Sequence, residues 1–308
     1  MSAKSGRVAA IAAALLCIVN ADAIRAQRAE DDPAIELRRD LVTFTVTVRD
    51  RAGRCIWGLE RPDFEVYDGK VKQDIAFFSD EDMPLNVGVV FDVSGSMVTK
   101  MDAAKRALNG LLERSHPDDD IFLIGVSDRV SLVRDFAPSS PTIANSLTFA
   151  AGHGRTALFD AVYAAVEKAK TGRHEKRAVL VISDGQDNNS RYTYAELRGL
   201  LRESDVAVYA IGIIDPAEGE YAYYGQAVLE GLARPTGGIA YFPADSEGLF
   251  DVCAHIALEL RHQYSIGYYP TTDIRDGRWH KIKVKVDPPP GLPRLAVRSK
   301  EGYFGLKR

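Results

Sequence analysis

The spacing of apolar positions changes along the chain, and each change predicts an element. From Asp40 to Asp50, Val42, Phe44, Val46 and Val48 alternate with Leu41, Thr43, Thr45 and Thr47, the period of two expected of a half-buried strand. Arg51 to Arg54 predicts a turn. Phe64-Glu65-Val66-Tyr67 followed by Asp68-Gly69 predicts a second strand and a hairpin, with Val71 to Phe78 as the returning strand. The pattern then shifts to short apolar runs without alternation: Val87 to Phe91, Ile121 to Val126, Val179 to Ser183 and Val206 to Ile213. Such runs suit strands covered on both faces of a parallel sheet. Val130 to Val133 returns antiparallel after Ser127-Asp128-Arg129, and Ile239 to Phe242 reads as a short edge strand.

Helical stripes separate the runs. Ala103, Ala104, Ala107, Leu108, Leu111 and Leu112 form one, and Leu158, Val162, Val166 and Ala169 another. Thr193 with Glu196 is a capping box opening a helix that carries Leu197, Leu200 and Leu201. A short helix is expected near Thr142 to Phe149, and a longer one from Ser246 to His262 with Leu249, Cys253, Ile256 and Leu260 on one side. Tyr221, Tyr223 and Tyr224, with Glu218 and Glu220, read as a long aromatic loop. Beyond the last helix, Tyr264 to Tyr269, Trp279 to Val286, Leu295 to Val297 and Tyr303-Phe304 supply further strands.

This order predicts an α/β fold: a doubly wound, mostly parallel six-stranded sheet flanked by helices, with right-handed crossovers. The forty or so residues before it are too few to build a core alone. The strands at the far end would complete a small β-sandwich-like domain with them. The expected organisation is a leader over 1–27, a linker over 28–36, an N-terminal β segment over 37–82, the α/β domain over 83–262, and a C-terminal β segment over 263–308.

Composition narrows the setting. Lys4 and Arg7 precede the apolar core Val8 to Val19, and Ala21-Asp22-Ala23 (or Ala26) offers a cleavage site, the layout of an export signal. The apolar core is shorter than the ~20 residues a membrane span needs, so the protein is expected to be secreted or periplasmic, with an uncleaved leader as the sole route to a membrane. Cys17 follows Leu15-Leu16 rather than a small residue, which is poor for lipid attachment. In the mature chain Cys55 and Cys253 remain, either as a pair stapling the first β segment to the last helix or as two idle thiols. The 6 histidines show no metal-ligand spacing, and a net charge of −4 without a dense Lys/Arg cluster argues against nucleic acid.

The candidate chemistry lies where buried strands end. Val87 to Phe91 runs into Asp92-Val93-Ser94-Gly95-Ser96, and Val179 to Ile182 into Ser183-Asp184-Gly185-Gln186-Asp187. Gly154-Arg155-Thr156 sets a threonine in a glycine-flanked loop. Open α/β sheets bind ligands beyond these strand ends, and oxygen donors of this kind suit a hard divalent cation. A helix cap alone would account for any one of the three segments, but not for their joint occurrence. A serine nucleophile elbow needs Gly-x-Ser-x-Gly; Asp92 and Ser96 stand where its glycines belong. Gly152 to Ala157 mimics a dinucleotide loop, but no strand directly precedes it. Asp187 and Asn188 are expected to cap the next helix.

Asp92-Val93-Ser94-Gly95-Ser96, the Gly-Arg-Thr loop and Ser183 to Asp187 together resemble the metal-ion-dependent adhesion site of von Willebrand factor type A domains. The resemblance implies that Ser94, Ser96 and Thr156 ligate the cation through hydroxyls while Asp92 and Asp184 act largely through bound waters. It further implies that the strands ending in Asp92 and Asp184 are neighbours. Mg²⁺ is the expected ion, with Mn²⁺ or Ca²⁺ as alternatives. Its mostly neutral shell would leave it seeking a Glu or Asp carboxylate on a partner protein. The expected function is therefore an exported, non-enzymatic binding or adhesion protein. The alternatives are a metal-assisted hydrolase, for which no histidine or further carboxylate near the motif serves as base, and an envelope-assembly scaffold whose metal only stabilises the fold. Pro62 to Gly69 also resembles the segment preceding the type A domain in exported bacterial, notably acidobacterial, proteins. In related domains the final helix moves on ligand binding, and here a β strand follows that helix directly.

Overall fold

The computed structural model describes residues 41–140, 143, 146–149, 155–289, 291 and 294–306. The expected leader and linker, and Gly154, lie outside the described residues. Fourteen strands and five α-helices are described.

The first β region is built from both ends of the chain. β1 (Val42–Arg49), β2 (Phe64–Asp68), β3 (Val71–Gln73) and β4 (Ile75–Ser79) come before the α/β part; β11 (Tyr264–Tyr268), β12 (Trp279–Val286), β13 (Ala296–Ser299) and β14 (Gly302–Phe304) follow it. They form two four-stranded antiparallel sheets, ordered β13-β1-β11-β4 and β14-β12-β2-β3. Phe44, Val46 and Val48 of β1 pack with Phe64, Val66, Tyr264, Ile266, Tyr268, Ile282 and Tyr303 in one core. Neither end of the chain supplies enough apolar surface for this core, so β1 must pair with β11 and β13.

The expected return strand over Val71 to Phe78 is instead two strands in two sheets. β3 pairs with β2, whereas β4 pairs with β11. The chain passes between layers at Asp74, and Gln73 holds the crossing: its Nε2 donates to Thr271 Oγ1 at 3.1 Å and its Oε1 accepts from Thr271 N at 3.0 Å. Apolar residues on both sides of the break make the two pieces look continuous in sequence.

The third sheet, of six strands, has the order β10-β9-β8-β5-β6-β7, from β5 (Leu85–Asp92), β6 (Asp120–Val126), β7 (Val130–Pro138), β8 (Lys176–Ser183), β9 (Ala207–Gly212) and β10 (Ala240–Tyr241). All neighbours are parallel except β6 and β7. Every residue of β5 is buried, and alternate residues serve opposite layers. Val87, Val89 and Phe91 meet α1 (Met101–Leu112) and the last helix, α5 (Ser246–Arg261). Val90 meets the layer of α2 (Leu158–Ala169), α3 (Tyr194–Glu203) and α4 (Glu220–Ala233). Thr193 and Glu196 form the expected reciprocal cap of α3.

α4 corrects a second expectation, for it occupies the stretch read as an aromatic loop. Val228, Leu229, Leu232 and Ala233 form its buried stripe. Tyrosines and two glycines lower the helix propensity of this stretch, and packing against the sheet outweighs that bias.

Candidate metal centre

The adjacency of β5 and β8 fixes the site. Phe91 aligns with Ile182 across the parallel ladder, so Asp92 and Ser183 emerge side by side at the carboxyl ends of two central strands. The chain leaves β5 for β6 on one side and later returns to β8 on the other. This reversal opens a crevice at the strand ends.

Asp92 is 0% exposed. Its Oδ1 accepts from Ser94 N at 2.9 Å and its Oδ2 from Ser183 Oγ at 2.6 Å. Burial pushes the Asp92 carboxyl up to about 6, against the opposing hydrogen bonds from Ser183 and Ser94; the nearby Asp184 charge adds to the rise. Above Asp92, Ser94 Oγ and Ser96 Oγ lie 3.1 Å apart, and Ser96 Oγ donates to Asp184 Oδ2 at 2.5 Å. Asp184 Oδ1 accepts from Gln186 N at 3.0 Å. A cleft of about 400 Å³ is lined by Ser94, Ser96, Thr156 and Asp184 together with Gly95, Gln186, Asn188, Glu218 and Tyr221. The structure thus gathers the five oxygen residues singled out in the sequence, with Asp92 beneath the cleft floor and the others on its walls.

Asp187 and Asn188 do not cap α3, as expected from their position, but reach back across space. Asn188 Oδ1 accepts from Thr156 N at 3.0 Å, and Asn188 N donates to Thr156 O at 3.0 Å. Asp187 Oδ1 accepts from Phe159 N at 3.1 Å, and Ser190 Oγ from Asp160 N at 3.1 Å. These bonds satisfy free amides in the first turn of α2, while Thr193 already caps α3. They also stitch the Thr156 loop to the Asp184 loop. Gly185, at φ +81°, completes the bend, and a Cβ on Gly225 of α4 would lie 2.1 Å from Asp184 O. The spacing of Asp187 to Ser190 from α2 along the chain hid this role.

The donor set fits a hard divalent cation. Three neutral hydroxyls and two carboxylates offer oxygen only, and among the described residues no ion pair is formed by Asp92 or Asp184. Burying an anion without a counter-charge is costly, and a cation in the cleft would offset that cost. Ser94, Ser96 and Thr156 would hold the ion, with Asp92 and Asp184 balancing its charge.

One cluster was not apparent in the sequence. Ligating atoms of Cys55, His255 and Glu259 lie within 4.8 Å of one another. Glu259 is 0% exposed and pairs with Arg49 through one oxygen and with Arg298 through the other. A cation would have to enter against two guanidiniums, so this cluster is a structural clasp. Cys55 and Cys253 are both free thiols.

The family model for the von Willebrand factor type A domain matches residues 87–186, a span running from the start of β5 to the Asp184 loop. Among solved structures, the chain is similar to a von Willebrand factor type A protein from Catenulispora acidiphila at 12% identity and TM-score 0.48, covering 72% of this chain and 67% of that one. It is similar to the PilB minor pilin from Streptococcus sanguinis at 15% identity and TM-score 0.48, covering 60% and 63%. It is also similar to proximal thread matrix protein 1 from the mussel byssus, with a zinc-occupied MIDAS motif, at 18% identity and TM-score 0.48, covering 63% and 49%. The chain therefore spans about two thirds of the first two and half of the third. No curated protein matches the sequence. Among the described residues, no helix is long and apolar enough to cross a membrane.

Proposed function

Proceeding from a chain that carries a von Willebrand factor type A domain, we propose that it is an exported binding protein whose cleft holds a divalent cation and, through it, an acidic side chain of a partner protein. One observation carries the reading. Ser94, Ser96, Thr156 and Asp184 line one open cleft above the buried Asp92, and among the described residues neither carboxylate has an ion-pair partner.

The cation, when bound, supplies an electrophilic centre with room for an outside oxygen. The chain's part is to hold the donors still. Asp92 orients Ser94 through its amide, Asp184 receives Ser96, and Asn188 fixes the backbone of Thr156. Mg²⁺, which keeps several of its waters, would suit three hydroxyls with the carboxylates acting through bound water. No step of bond breaking is needed, and domains of this type serve generally as adhesion or interaction modules. The exposed Tyr221 on the cleft rim, 66% accessible, offers a partner an aromatic contact of the kind enriched in protein interfaces. Export rests on the leader read in residues 1–27.

Mn²⁺ titration followed by electron paramagnetic resonance tests the reading. The parent chain should bind one Mn²⁺, with Mg²⁺ competing, and Asp92→Ala and Thr156→Ala should each lose binding while keeping their far-ultraviolet circular dichroism. Unchanged Mn²⁺ affinity in both variants would overturn it. Melting of the fold on chelation would instead favour a cation that only stabilises.

A further inference from the structure

The cleft contains a carboxylate that the five-residue motif does not account for. Glu218 lines it alongside Ser94, Ser96, Thr156 and Asp184. It is half-buried, and among the described residues no lysine, arginine or histidine pairs with it. Its carboxylate receives a long contact, Gln186 Nε2 donating to Oε2 at 3.5 Å. Gln186 is the residue whose amide holds Asp184 Oδ1, so Glu218 is tied to the loop that carries Asp184. Glu218 adds a second carboxylate to the cleft wall beside Asp184, and a cation lying between them would offset the repulsion of like charges.

The backbone presents Glu218 deliberately. It ends a short turn, Pro216–Glu218, whose first amide after the proline donates to Asp215 Oδ1 at 2.9 Å. Gly219 follows at φ +60° and ψ −118°, a conformation that only glycine adopts freely. Here the chain turns into α4, and α4 is pressed against the Asp184 loop at Gly225. A flexible loop would leave the side chain in solvent; the proline, the Asp215 cap and the Gly219 bend hold it at the cleft wall.

We propose that Glu218 is an internal occupant of the cation's open position: its carboxylate ligates the ion when no partner is present and is displaced by the partner's acidic residue. The inference rests on the cation-binding reading above. It makes this chain self-capped. Holding the ion is strengthened by a charged ligand of its own, and the apparent affinity for a partner is scaled down to the fraction of sites in which Glu218 is unseated. Partners presenting a single weak carboxylate are thereby refused, and those adding contacts at Tyr221 and the rim of α4 are admitted.

The test uses the full chain, its Glu218→Gln and Glu218→Asp variants, Mn²⁺ as the ion and acetate as the carboxylate probe. Bound Mn²⁺ is followed by electron paramagnetic resonance for affinity and by water-proton relaxation for its exchangeable waters. In Glu218→Gln, Mn²⁺ should bind roughly five- to tenfold more weakly, and its relaxation enhancement should rise by the increment of about one added water. On Mn²⁺-saturated protein, acetate should lower that enhancement at roughly five- to tenfold lower concentration than in the parent. Glu218→Asp, which keeps the charge on a shorter stem, should reproduce the relaxation rise. Two outcomes overturn the inference: Mn²⁺ affinity and relaxation unchanged in Glu218→Gln, or tighter acetate binding without any change in relaxation, which would reduce Glu218 to a repelling charge. If the parent fails to bind Mn²⁺, or Asp92→Ala binds it equally well, the cation reading itself fails first.

Discussion

Single residues here take their properties from what surrounds them. Cys253 is 0% exposed in the layer between the central sheet, α1 and α5, and burial pushes its thiol from 9.0 up to about 12. Between those values an unfolded chain sheds a proton that the folded chain keeps. The stability this residue contributes is therefore intact below pH 9 and is lost as pH rises toward 12. Urea unfolding at a series of alkaline pH values should show that fall, and Cys253→Ala should flatten it by up to one proton's slope. At pH 8, iodoacetamide should label Cys253 only in urea, because the thiolate is the nucleophile. Asp187 and Asn188 teach the same lesson from the polar side. Their residue type correctly signals capping, but their partners are the amides of Thr156 and Phe159 rather than the helix that follows them.

Among the elements, α4 departs furthest from its sequence. Its tyrosines, with Glu218 and Glu220, read as a loop, and packing gives one of its glycines a reason for being there. Gly225 lets α4 lie against the Asp184 carbonyl, where a Cβ would come within 2.1 Å of backbone. Gly225→Ala should push the Asp184 loop out of place and weaken Mn²⁺ binding roughly 10–100-fold, the range seen when supports behind metal ligands are altered. Gly199, inside α3, is the contrasting case, with nothing within 4 Å of an added Cβ. Gly199→Ala should raise stability by about 1 kcal/mol, from helix propensity alone, with Mn²⁺ affinity unchanged. Thermal melts and the Mn²⁺ titration together separate the two effects. An equal Mn²⁺ affinity in both variants would mean that the α4 contact does not support the site.

At the scale of the molecule, the last helix is clasped to the strands at either end of the chain. Glu259 of α5 is paired with Arg49 of β1 and Arg298 of β13, and receives Tyr209 Oη of β9 at 2.8 Å; Gln263 Nε2 donates to that hydroxyl at 2.9 Å. Burial pushes the Tyr209 phenol up to about 12, so it remains a donor. An ion pair this buried adds little net stability over an apolar equivalent, yet removing one partner strands the others. Glu259→Gln should lower unfolding free energy by roughly 3–5 kcal/mol, read from the urea midpoint. A change under about 1 kcal/mol, the worth of an exposed pair, would mean the clasp is solvated. Because the clasp joins α5 to β1 and β13 while α5 packs on α1 behind the Asp92 strand, its loss should reach both cores.

What could be read from the chain itself were the features encoded locally. The unbroken apolar runs from Val87 and Val179 demanded strands covered on both faces, and the hydroxyl and carboxylate residues at their ends marked the crevice beyond them as the candidate site. Alternation in β1 and β12 likewise set which side chains face the sandwich core. Three-dimensional packing decided everything that depends on which distant backbone comes near: the switch of sheet between Gln73 and Ile75, the helical state of Glu220–Ala233, the reach of Asn188 to Thr156, the seating of Glu218 at the cleft, and the clasp around Glu259. Local pattern records how each segment meets water and its immediate neighbours along the chain. Partners far apart in sequence leave no period to read, because burial and hydrogen bonding between them are settled only when the sheets close.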